Sequence, residues 1–148
     1  MKEDVGLAKL FAALRPGGWI ALWWTSYGDE TRRDEFMQAV DPLFEDVPHG
    51  PSGPSEGRPS FARDAELRLA ALARAGFEEH SSEELPWSHE WDAEGMRGLY
   101  ATYSPINSLD ADRRRELLDS VERIAKTEFG GRVERPLVTS LYTARKPS

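Results

Sequence analysis

The chain contains no cysteine. Disulfides, thiolate nucleophiles and cysteine-based zinc sites are therefore excluded. A reducing compartment fits that composition, and the cytoplasm is the expected location. No apolar stretch approaches the roughly 20 residues needed to cross a bilayer, so no membrane is expected as partner. The opening Met1-Lys2-Glu3-Asp4 carries early acids and no apolar core, unlike a signal peptide. Positive charge is scarce: 19 Lys and Arg stand against 26 Asp and Glu, for a net charge of −7. An acidic surface repels phosphate backbones, so nucleic acid is not an expected partner. Basic residues cluster only at Arg113, Arg114 and Arg115, where Glu116 and Asp119 make a solvated helix face the natural reading. The three histidines, His49, His80 and His89, share no metal-ligand spacing. His80 and His89 lie an odd number of positions apart in a predicted strand, which sends them to opposite faces. No metal is expected.

What is present is ordinary globular material: 148 residues, 39% hydrophobic and 30% charged. That length fits one domain with a real core. Val5 to Leu14 carries Leu7, Leu10, Phe11 and Leu14 at helical spacing and predicts an amphipathic helix. Arg15-Pro16-Gly17-Gly18 ends it. Trp19 to Thr25 follows, apolar without alternation, which predicts a strand covered on both faces. A second helix is expected over Thr31 to Phe44, capped by Thr31 or Asp29, with Asp41-Pro42 kinking or ending it. Residues 47–60 form a Pro/Gly/Ser-rich flexible loop.

Asp64 to Ala75 predicts a helix that buries Leu67, Leu69, Ala71 and Leu72 and stops at Gly76. Phe77 to Trp91 reads as a strand with Phe77, Leu85, Trp87 and Trp91 on one face and a wet opposite face. Pro86 places it at an edge or at a bulge. Residues 92–129 form inserted helices: Asp92 caps one over Ala93 to Tyr103, and the longest covers Asp110 to Phe129, stopped by Gly130-Gly131. Pro136 to Ala144 predicts a final strand with apolar or small residues on both faces, hence a central one. There are no internal repeats.

The run Leu7 to Leu22, with Leu14-Arg15-Pro16-Gly17-Gly18 at its centre, resembles a stretch of class I S-adenosylmethionine-dependent methyltransferases. In that family such a segment forms the fourth helix, its turn and the fifth strand. Leu69 to Phe77 is similar to the helix leading into the sixth strand, and Pro136 to Arg145 to the seventh strand of type 11 methyltransferases. The resemblance implies an α/β fold: the C-terminal half of a Rossmann-like methyltransferase. It has about three strands flanked by helices, one parallel-type (Trp19 to Thr25) and two antiparallel, with the last strand inserted antiparallel between the other two. Residues 1–148 are then a single partial domain, and Met1 falls where the fourth helix should begin. A truncated gene or a mis-assigned start is the expected explanation. The implied cofactor is S-adenosylmethionine, yet Gly-x-Gly-x-Gly, which cradles it in the family, occurs nowhere in the chain.

Ligands of open α/β sheets lie beyond the carboxyl ends of the strands. Trp24, Thr25, Ser26 and Tyr27 stand at that position and are candidates for binding a small-molecule acceptor. Tyr100 and Tyr103 are further candidates, since helices in this position roof the acceptor site in the family. No nucleophile and base pair is visible, and methyl transfer from an activated sulfonium can rely on positioning. Weak or no cofactor binding is expected of this chain alone. The alternative is a non-catalytic interaction module. An unpaired apolar edge invites a homodimer or a separately encoded N-terminal half.

Overall fold

The computed structural model describes residues 3–27, 34–47 and 59–148; the side chain of Tyr27 is outside that description. Most of the 47–60 loop, together with Asp29 and Thr31, lies outside the described residues. The elements are α1 (Glu3–Ala13), β1 (Trp19–Tyr27), α2 (Glu35–Val40) with a 3-10 turn at Asp41–Phe44, and α3 (Ala65–Arg74). They continue with β2 (Glu78–Asp92), α4 (Ala93–Ala101), α5 (Ser104–Asn107), α6 (Ala111–Glu128) and β3 (Arg132–Arg145). The strands form one sheet in the order β1-β3-β2. Gly18 meets Lys146 and Thr25 meets Thr139, so β1 and β3 run antiparallel. Ser81 meets Thr143 and Ser88 meets Glu134, which sets β2 antiparallel to β3 as well. The last strand sits between the other two, as the sequence predicts.

Two compact units divide the chain, with boundaries inside β2 at Leu85 and Pro86 and inside β3 at Leu137 and Val138. The first unit contains α1, most of β1 and α3. Its core is Leu7, Ile20, Ala71, Leu72, Phe77, Tyr142 and Ala144. Phe11 meets the Phe77 ring edge-on at 5.1 Å. The second unit contains α2, α4, α5 and α6. Met96, Ile106, Leu117, Val121 and Ala125 are buried there, with Phe36, Val40 and Val133. Burial along β3 alternates, but its phase changes between Leu137 and Val138. Val133, Arg135 and Leu137 are buried on one side of that change, and Val138, Ser140, Tyr142 and Ala144 on the other. That is why both faces of this central strand carry apolar or small residues.

Several expectations need correction. Trp19 and Trp23 are 55% and 65% exposed, so β1 is not covered on both faces among the described residues. Only Ile20, Leu22 and Trp24 face the core, because α1 and α3 pack against that side alone. Leu10 and Leu67 are exposed instead of buried. On α3 the aliphatic stem and head of Arg68 occupy the buried stripe with Ala71 and Leu72. β2 is exposed on both faces until Trp91, because an edge strand has a helix over it only where one reaches. α2 starts at Glu35, four residues later than predicted, and its cap is Asp34, whose carboxylate accepts from the Met37 amide at 2.6 Å. The α-helix gives way to the 3-10 turn at Asp41-Pro42, as proline requires. α4 ends at Ala101, and Ser104 to Asn107 forms a separate short helix with Pro105 in its first turn. β3 begins at Arg132, so Pro136 is interior to it.

Candidate functional site

The β1 candidates belong to a strand whose entry is fixed by the Pro16-Gly17-Gly18 turn. Gly17 has φ +72, and a Cβ on Gly18 would lie 2.9 Å from the Arg15 carbonyl oxygen. The Gly17 amide donates to Lys146 O at 3.0 Å, and the Gly18 amide to Arg15 O at 2.9 Å. Lys146 Nζ donates to the carbonyls of Phe11 and Leu14, both at 2.8 Å, and so closes the C-terminal end of α1. The atoms nearest these two glycines are the chain's own: the Arg15 carbonyl and the side chains of Leu14, Arg15, Arg145 and Ser148.

Beyond the turn, Trp24 packs edge-on against Phe61 at 5.7 Å and Tyr142 at 6.0 Å. The Tyr142 hydroxyl donates to Ala62 O at 2.7 Å, and burial pushes its pKa up. Thr25 Oγ1 shares a hydrogen bond with Thr139 Oγ1 at 2.9 Å. Ser26 is half-buried, and Tyr27 ends the strand. Trp24, Thr25 and Ser26 are therefore brought together in the first unit, with the Trp24 ring packed among aromatic neighbours and the Thr25 hydroxyl engaged across the sheet.

Tyr100 and Tyr103 belong to the second unit. Asp92 caps α4 by accepting from the Gly95 amide at 2.7 Å, and the helix carries Met96 and Tyr100 inward one turn apart. The two tyrosine rings stand 5.0 Å apart. Phe44 lies 5.6 Å from Tyr100, and Phe36 lies 6.3 Å away. The Tyr100 hydroxyl accepts from Arg135 Nη1 at 3.1 Å, while Arg135 Nε donates to Asp34 Oδ2 at 2.6 Å. Burial pushes the Tyr100 hydroxyl up, and the Arg135 charge pulls it partly back. Burial opposes the Arg135 charge, but Tyr100 and Asp34 outweigh it and hold the guanidinium above its ordinary value. The Phe36 ring lies 5.5 Å from that guanidinium.

This Asp34–Arg135–Tyr100 cluster was not predicted from sequence. A signal was present: Arg135 alternates with Val133 and Leu137, the pattern of an inward-facing strand position. A second buried cation, Arg68, lies 3.6 Å over the Phe61 ring with Nη1 2.8 Å from Glu3. Two arginines of the α6 triplet are ion-paired: Arg113 bonds Asp46 at 2.8 Å and Leu43 O at 3.2 Å, and Arg115 pairs with Asp112.

No His, Cys, Asp and Glu cluster suited to a metal ion occurs among the described residues. No helix there is long and apolar enough to cross a membrane. The implied S-adenosylmethionine does not fit the glycines at hand. Gly17 and Gly18 precede a strand instead of following one, and their amides are bonded to the chain itself.

No protein-family profile matches the chain, and no curated protein sequence matches it. The solved structures it resembles include methyltransferases. Phosphoethanolamine N-methyltransferase 2 of Haemonchus contortus, solved with S-adenosylhomocysteine and phosphomonomethylethanolamine, aligns over 99% of this chain and 30% of its own. The identity is 13% and the TM-score 0.41. The same enzyme with S-adenosyl-L-methionine gives 12% identity and a TM-score of 0.41. A Bacillus halodurans protein described as a methyltransferase aligns over 98% of this chain and 63% of its own, at 19% identity and a TM-score of 0.46. The chain spans less than two thirds of each of these proteins.

Proposed function

We propose that this chain is the acceptor-side portion of an S-adenosylmethionine-dependent methyltransferase acting on a small molecule. The observation that carries the reading is β3, inserted antiparallel between β1 and β2. The helix and Leu14-Arg15-Pro16-Gly17-Gly18 turn that deliver β1 support it. Trp24, Thr25 and Ser26 in the first unit and Tyr27, Tyr100 and Tyr103 in the second are, each by itself, candidates for contacting the acceptor in this reading. They position the acceptor and exclude water, while the methyl donor rests on a glycine-rich portion that this sequence does not contain. Such a portion is supplied by a separate chain or by sequence beyond these residues, and the complete assembly works in the cytoplasm.

Isothermal titration with S-adenosylmethionine tests the division of labour. The expected result is no measurable heat at low-micromolar cofactor. Low-micromolar affinity by this chain would show that it holds the cofactor by other means and overturn the reading. The DNA immediately upstream is a second test. A reading frame with Gly-x-Gly-x-Gly supports the methyltransferase; unrelated sequence favours an interaction module. The exposed Trp19 and Trp23 on β1 are what favour that second reading.

A further inference from the structure

The two edges of the sheet are built differently. β2 carries Pro86 and the acids Glu78, Glu79, Glu83, Glu84 and Glu90. Proline removes a ladder donor and charge repels an arriving strand, which are common ways of blunting an edge. β1 has neither device: Trp19 to Tyr27 holds no charge, proline or glycine. Among the described residues β1 pairs with β3 alone. Trp19 and Trp23 are 55% and 65% exposed on one face, with Ala21 exposed between them. The Lys146 amide donates to the Gly18 carbonyl at 2.8 Å. Backbone groups alternate along a strand, so the even-numbered residues turn theirs to β3, and Trp19, Ala21 and Trp23 turn theirs to the free edge.

We propose that β1 is a homodimerisation strand, which pairs antiparallel with β1 of a second copy about a two-fold axis at Ala21 and joins two three-stranded sheets into one. The sequence is self-complementary about that point. With Ala21 opposite its own mate, Trp19 of each copy faces Trp23 of the other on one side of the sheet, and Ile20 faces Leu22 on the other. Directly opposed aromatic and aliphatic pairs are the favourable kind, and a two-fold contact repeats each of them. Charge selects the occupant. A β2–β2 pair would set acids against acids, and a β1–β2 pair would put Pro86 into the ladder. Each copy carries −7, so whole-molecule repulsion opposes association at any face, and this uncharged edge is where no local charge adds to it. The four tryptophans bring on the order of 600 Å² of open surface at the upper end of the usual aromatic range. Small specific interfaces bury about 1,200 Å² in total, so with the strand backbones the contact is of the weak, exchanging class.

Sedimentation equilibrium of the whole chain, from micromolar to millimolar concentration and at low and high salt, tests this. A monomer–dimer equilibrium is expected. Screening of the repulsion tightens it with salt. Trp23→Lys or Trp19→Lys weakens it at least ten-fold, and Trp87→Lys on the opposite edge leaves it unchanged. Ala21→Pro, which removes a donor only from the free edge, abolishes it as well. A monomer at millimolar concentration, a dimer that survives the Trp19→Lys and Trp23→Lys double substitution, or open-ended aggregation would overturn the proposal. The readout is mass alone, so a failed cofactor titration leaves this inference standing, and the reverse also holds.

Discussion

Arg135 on β3 and Asp34 ahead of α2 meet at 2.6 Å although 101 residues separate them in sequence. The Arg135 side chain is 3% exposed and that of Asp34 15%. Asp34 has two tasks, since its other oxygen caps α2 through the Met37 amide. Removing one partner of a buried pair leaves an uncompensated charge, at a cost of about 3–5 kcal/mol, and losing a cap costs about 1 kcal/mol. Asp34→Ala should therefore destabilise the chain by about 4–6 kcal/mol in urea unfolding. Asp34→Asn keeps an oxygen for the cap and loses the charge, so it should recover only the smaller share. Equal losses from the two substitutions would show that the pair, and not the cap, is what matters there.

Tyr100 links the same cluster to pH. Burial raises its hydroxyl above the ordinary value of 10.0, so the folded state keeps this proton longer than the unfolded state. The stabilisation is complete below the unfolded value, near pH 10, and is lost as pH rises through the folded one. Stability should fall more steeply between about pH 9 and pH 11 in the native chain than in Tyr100→Phe. A residual slope remains, because burial raises Tyr142 too. The comparison is of slopes: Tyr100→Phe also takes the acceptor from Arg135 Nη1 and starts from lower stability at neutral pH. Parallel pH profiles would place the alkaline loss elsewhere.

The parts of the fold written in local chemistry were legible. Gly76 and Gly130-Gly131 stop helices with positive φ, Asp92 caps α4, and the mixed faces of β3 mark it as central. What depends on distant partners was not. An apolar run such as Trp19 to Thr25 carries no record of whether a helix lies over each face, and the Trp19 and Trp23 side is open. The period-2 pattern of β2 is real, yet an edge strand gains cover only where a helix reaches it, and that happens at Trp91. Tyr100 was visible as an inward helix position. Its partner Arg135 is obscured by Pro136, where proline suggests a strand boundary, although β3 begins at Arg132. The β1 candidates are placed on their strand, while the roles given to them rest on the family resemblance alone.

Two helix-stopping glycines separate backbone strain from steric contact. Gly76 follows α3 at φ +92, and a Cβ there would lie 3.3 Å from two atoms of the Phe11 ring. Its neighbour Phe77 returns a hydrogen bond to Leu72 O at 3.2 Å and enters the core, so the turn has little room to relax. Gly130 follows α6 at φ +65 with nothing within 4 Å of an added Cβ. A left-handed conformation costs a residue with a Cβ about 1–2 kcal/mol. Gly130→Ala should show that cost alone. Gly76→Ala should show it together with the displacement of Phe11 from its edge-on contact with Phe77, a total of about 2–3 kcal/mol. Adding Phe11→Leu to Gly76→Ala should remove the steric part and bring the remaining loss from Gly76→Ala close to that of Gly130→Ala. A double-mutant cycle by urea denaturation measures it. Additive effects of Gly76→Ala and Phe11→Leu would mean that the ring yields at no cost and that backbone conformation alone reserves Gly76 for glycine.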